Sequence, residues 1–106
     1  MVGERSDSAV VLDNVRRLRD APSPPIEDAE RVLTDGYAWV LRAEGERLRM
    51  RASLEQRATR LERAGRDEVV EIAALAQAIA RVGGEIEQLR AALSELAARL
   101  SRLRMA

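Results

Sequence analysis

The sequence is expected to be all-α: a long antiparallel helical hairpin, coiled-coil-like, with a short N-terminal helix, dimerising into a four-helix bundle. Three observations predict this class. The last third of the chain carries an unbroken heptad repeat, two long stretches of similar length flank a glycine-containing joint, and the apolar residues are almost wholly aliphatic. Of 106 residues 46 % are hydrophobic, yet Tyr37 and Trp39 are the only aromatics. A core must therefore be built from Leu, Val, Ile and Ala, as in a helix bundle. A chain this short buries little surface unless its helices are well formed or self-associate, which favours an oligomer.

The first element runs from about Asp7 to Arg19, with Ser6 as its N-cap and Val11, Val15 and Leu18 on one stripe. Pro22 stops it. Ser23 is placed to cap the next helix, Pro24 to occupy its first position, and Glu27, Asp28 and Glu30 to face the positive helix end. This divides the chain into a short helix with its proline-rich joint, residues 1–22, and a hairpin, residues 23–106. Within the hairpin a helix over about 24–64, a turn at 65–67 and a helix over about 67–104 are expected, with Gly65 closing the first helix. Each long helix would extend roughly 60 Å at 1.5 Å per residue. An extended-helix dimer in which the turn opens is the competing arrangement.

The final helix gives the sharpest signal. With Ile72, Ile79, Ile86, Leu93 and Leu100 at a, the d positions are Leu75, Val82, Leu89, Leu96 and Leu103, all apolar. Small residues at the flanks, Ala76, Ala78, Gly83, Ala92 and Ala97, widen this seam and imply contact with more than one helix. On the preceding helix, Leu33, Tyr37, Leu41, Leu48 and Ala52 are expected to face the final helix. Val32, Gly36, Trp39, Ala43, Met50 and Leu54 trace a second face that needs another partner. The interface expected from these patterns comprises Val32, Trp39, Met50, Leu54, Ile79, Ile86, Leu93 and Leu96, and it is assigned to a second copy or another protein. Gly83 and Gly84 sit inside the repeat at its e and f positions, either as a close crossing against the region of Gly45 and Leu48 or as a kink.

All 18 basic residues are arginine and balance 18 acidic ones, leaving no net charge. Arg47, Arg49, Arg51, Arg57, Arg60 and Arg63 form a basic stretch. Counting Arg66, Glu55 and Glu62, residues 47–66 carry seven positive and two negative charges, +5, whereas residues 67–86 carry one and four, −3. Because the arginines spread around the helix and lack an aromatic platform, the expectation is charge pairing within the hairpin rather than nucleic-acid binding. Acid-first pairs such as Glu27 with Arg31 and Glu95 with Arg99 add local support.

The residue inventory argues against catalysis. There is no His, Cys or Lys, which removes the common general bases, thiolate nucleophiles, Schiff-base amines and zinc ligands. Glycine loops for phosphate and paired carboxylate–histidine motifs are also missing. No enzyme activity, cofactor or metal is therefore expected; the Glu27, Asp28 and Glu30 cluster is read as helix-end stabilisation. Charges at the N-terminus and the lack of an 18-residue apolar run suggest no signal peptide or membrane span, so a cytoplasmic location is expected. The functional expectation is a structural or adaptor protein acting through self-association. A regulatory or chaperone-like hairpin offering an apolar face to another protein is the alternative.

Overall fold

Three α-helices and one short turn make up the computed structural model, which describes residues 7–63 and 65–105. Helix α1 (Asp7–Asp20) ends where Pro22 forbids continuation. Its expected cap, Ser6, lies outside the described residues. Helix α2 spans Ile26–Ala58 and helix α3 spans Arg66–Met105. The assembly measures 63 × 32 × 15 Å, the elongated, flat outline of a helical hairpin with one short helix laid along it.

Two boundaries differ from expectation, each for a local reason. Pro24 is not the first residue of α2: the ring of Pro25 pushes its predecessor out of the helical region, so Pro25 itself, at φ −62° and ψ 133°, becomes the N-cap and its carbonyl accepts the Ala29 N–H at 3.1 Å. At the other end α2 stops at Ala58, well before Gly65. The Thr59 hydroxyl donates to the Gln56 carbonyl at 2.7 Å, and successive N–H groups shift to carbonyls three residues back, Arg60 to Arg57 and Arg63 to Arg60. The result is a 3-10 turn over Leu61–Arg63. Gly65 opens α3 rather than closing α2, its carbonyl accepting the Val69 N–H at 3.2 Å.

Helix α3 is the spine, packed against both α1 and α2. Its heptad positions point inward: Ile79, Ile86, Leu89, Leu93, Leu96 and Leu100 are buried, and Ala92 is buried with them. Helix α1 contributes Val15 and Leu18 to the same cluster and supplies the extra neighbour that the alanine-flanked seam called for. It runs alongside the C-terminal half of α3, with Ser8 donating to Glu85 at 3.0 Å near one end and Arg19 to Glu95 at 3.0 Å near the other.

Of the α2 stripe expected to face α3, Leu33 packs on the core, but Tyr37, Leu41, Leu48 and Ala52 are exposed and the smaller residues of the helix turn inward instead. Ala29, Gly36, Val40 and Ala43 are buried against α3, whereas Tyr37, Leu41 and Leu48 are 44 %, 70 % and 65 % exposed. The reason is steric. A Cβ on Gly36 would fall 2.5 Å from Cδ2 of Leu93, so the leucines of α3 already fill the space between the helices, and only small α2 residues fit opposite them.

Helix α3 passes through Gly83 and Gly84 without a break. The crossing of Gly83 against Gly45 does not form, because a Cβ on Gly45 would meet only Arg49. Gly83 instead makes room for Arg47, whose Nη2 would lie 2.7 Å from an added Cβ and whose Nε donates to the Ile79 carbonyl at 3.1 Å. Among the described residues nothing lies within 4 Å of a Cβ on Gly84. At concentrations where the chain is dissociated, Gly84→Ala is therefore expected to gain the helix-propensity difference of about 1 kcal/mol and raise the melting temperature by a few degrees in a thermal melt followed by circular dichroism.

Candidate interaction surface

The sequence-predicted interface residues fall into two groups. Ile79, Ile86, Leu93 and Leu96 are covered by the chain's own α1 and α2, and Leu93 is fully buried. Their apolar area is used within the monomer. Val32, Trp39, Met50 and Leu54 are half-buried along the side of α2 that looks toward α1 and the seam of α3.

The largest exposed apolar ridge lies on the opposite side of α2. Tyr37, Leu41 and Leu48 recur at helical spacing, and sequence reasoning turned them inward because they are the bulkier residues of the two stripes. Ala29, Gly36 and Ala43, at seven-residue spacing, were the signal for the true packing face. Along α3 the outward residues Ala73, Ala76, Ala80, Gly84, Ala91 and Ala98 are small and exposed. Between the two helices lies a groove of about 720 Å³, with Leu48 among Glu44, Arg47 and Arg51 on one bank and Ala80, Gly83 and Gly84 with Glu87 and Arg90 on the other.

Charge is distributed in blocks. Residues 27–46 of α2 carry six acids and two arginines, −4, and residues 47–66 carry +5; along α3, residues 67–86 carry −3 and residues 87–106 carry two acids and four arginines, +2. Antiparallel packing sets opposite blocks beside each other. Glu30 pairs with Arg104, Glu44 with Arg90, and Arg57 with Glu71 at 3.2 Å. These are exposed pairs and each contributes little to stability; they act chiefly on register.

Of the six arginines in the basic stretch, Arg47 lies half-buried across α3 and Arg57 is paired with Glu71, while Arg49, Arg51, Arg60 and Arg63 are exposed. Other expected pairings rearrange. Arg31 donates to Asp28 at 2.7 Å instead of Glu27, and Arg99 reaches back to the carbonyls of Arg19 and Pro22, closing the C-terminal end of α1. Arg19 also clasps Asp20, and this hydrogen bond holds the Asp20 carboxyl below its ordinary range.

Among the described residues no three acidic or other ligating side chains gather where a metal ion could sit, and no helix is long and apolar enough to cross a membrane. The cluster of Glu27, Asp28 and Glu30 is divided, with Asp28 bound to Arg31 and Glu30 to Arg104. Comparison with protein-family models, curated proteins and solved structures finds no match to this chain.

Proposed function

We propose that this chain is a non-enzymatic structural or adaptor module that acts through self-association and protein–protein contacts, two hairpins combining into a four-helix arrangement in the cytoplasm. The observation that carries the reading is the row Tyr37, Leu41 and Leu48, 44–70 % exposed on one face of a long helix. Single exposed leucines are ordinary, but three large apolar residues in register beside a groove mark a contact surface. A second copy brings matching apolar area without requiring any other component.

Light scattering across a dilution series tests this directly. The expected result is a dimer of the 11.8 kDa chain that Leu41→Arg converts to a monomer with unchanged helicity, since Leu41 is 70 % exposed within the chain. A wild-type monomer at every concentration would rule out the self-association.

A specific feature favours a second reading if that occurs. Among the described residues helix α1 reaches only as far as Glu85, and nearer the turn no third helix of the described residues covers the half-buried Met50, Leu54 and Leu75. A regulatory or chaperone-like hairpin would use this open seam to receive an amphipathic helix from another protein. Nucleic-acid binding by the basic stretch ranks below both, with Arg47 and Arg57 engaged inside the hairpin.

A further inference from the structure

We infer that the second copy docks on the Tyr37–Leu41–Leu48 face in the parallel sense, its two-fold axis running along the hairpin, so that α2 of each chain lies on α3 of the other. This rests on the self-association proposed above and adds its surface and orientation. The opposite face is obstructed over half its length by α1. The outward face is unobstructed and long: α2 spans about 50 Å at 1.5 Å per residue, so a strip about 16 Å wide supplies the roughly 800 Å² per partner of a standard stable interface.

Shape decides the orientation. On this face the large apolar side chains belong to α2, while α3 carries small residues with Glu87 and Arg90 among them. The groove places Leu48 level with Ala80, Gly83 and Gly84, and, the helices being antiparallel, the contact of Gly36 with Leu93 places Tyr37 level with Ala92. A two-fold axis along the hairpin carries α2 onto the partner's α3 at the same height. Leu48 then enters the space over Gly84, Tyr37 lies beside Ala91, and Leu41 comes level with Gln88, next to Glu87. A perpendicular axis would instead set ridge against ridge and small residue against small residue, holding one helix pair apart while the other needs to approach closely. Large side chains over small ones fill space at Leu48 and at Tyr37, the two ends of the contact.

The charge blocks fit the same assembly. In the parallel pair the +5 block of α2 lies on the −3 block of the partner's α3, and the −4 block on the +2 block. An isologous contact must be self-complementary, and these alternating blocks make it so. Gly84 gains a purpose here: with no atom of the described residues within 4 Å of a Cβ at that position, its missing side chain leaves a seat for a neighbour.

The natural chain has no cysteine, which makes disulfide mapping clean. Leu48→Cys and Gly84→Cys chains are mixed under reducing conditions and then mildly oxidised. The expected product is a cross-linked pair from the mixture, with little from either variant alone, because a disulfide needs Cα atoms about 4.4–6.8 Å apart. Leu48→Cys linking to itself while the mixture does not would overturn the orientation and leave self-association standing. A wild-type dimer with no cross-link in any combination would overturn the choice of face. A chain that scatters as a monomer throughout fails both readings together. As an independent check, Gly84→Leu is expected to split the dimer while preserving the helical signal, and an intact dimer in that variant would count against the seat.

Discussion

Leu93→Ala is expected to lower the unfolding free energy by about 2–5 kcal/mol, the range for truncating a buried leucine, read as a fall in the denaturant midpoint at unchanged slope. Leu93 is fully buried and touches Gly36 of α2, where an added Cβ would meet it at 2.5 Å, the tightest fit at any described glycine. Its removal empties a volume bounded by other core residues, including Leu89 and Leu96, which are themselves almost wholly buried. Leu41→Ala, by contrast, removes the same atoms from an exposed site. Measured at concentrations where the chain is dissociated, it should stay within about 0.5 kcal/mol of wild type.

The Gly36 contact supplies a sharper form of the test. Alone, Gly36→Ala places a methyl 2.5 Å from Leu93 Cδ2 in a core with no slack, so the helix-propensity gain is opposed by overpacking. In the Leu93→Ala background the obstructing atoms are gone. The added methyl then fills part of the cavity and the propensity gain of about 1 kcal/mol is realised. The two substitutions should therefore couple favourably in a double-mutant cycle. Additivity would mean that Leu93 does not rest on Gly36.

These contacts show what the sequence could and could not reveal. The inward seam of α3 was legible because its a and d positions are large, aliphatic and regular, and a repeat of that length fits only one face. Helix α1 was legible for the same reason, its few apolar residues forming a single stripe ending at proline. Helix α2 offered two apolar stripes, and hydrophobicity alone favoured the bulkier. Which stripe goes inside depends on how much space the partner helix leaves, and that is a property of the pair. With leucines already projecting from α3, the small row Ala29, Gly36 and Ala43 had to face them, so the exposed surface was misassigned together with the core. Gly83 was hidden for a related reason: the feature it accommodates is the guanidinium of Arg47, thirty-six residues away in sequence and polar. The early end of α2 turned on hydrogen bonds of Thr59 that no periodicity encodes.

Val15→Asp is expected to release α1 while leaving the hairpin folded. Val15 is fully buried and Leu18 nearly so, and at about 1.5–3 kcal/mol for each buried aliphatic side chain the pair contributes roughly 3–6 kcal/mol before the cost of ordering the segment. Arg19, one turn on, is already held by Asp20 and Glu95, so a carboxylate at position 15 would enter the apolar cluster without a free partner. Keeping an unpaired charge in such a site costs more than giving up the docking, so α1 should leave the core instead of carrying the charge into it. A free segment of 14 residues is marginal as a helix. Its detachment should therefore appear as a loss of helical signal proportionate to one short helix and as rapid proteolysis in the joint around Pro22 and Ser23. The bonds that Arg99 makes to the carbonyls of Arg19 and Pro22, and the Arg19–Glu95 pair, would be lost with it. Because they are partly or fully exposed, they cannot hold α1 in place once Val15 is gone. Retained protection of the joint would mean that polar clasps dominate the docking. Cleavage with the two long helices intact would instead show a hairpin that folds as a unit and carries α1 as an apolar cover on one side, leaving the Tyr37–Leu41–Leu48 face on the other side unchanged.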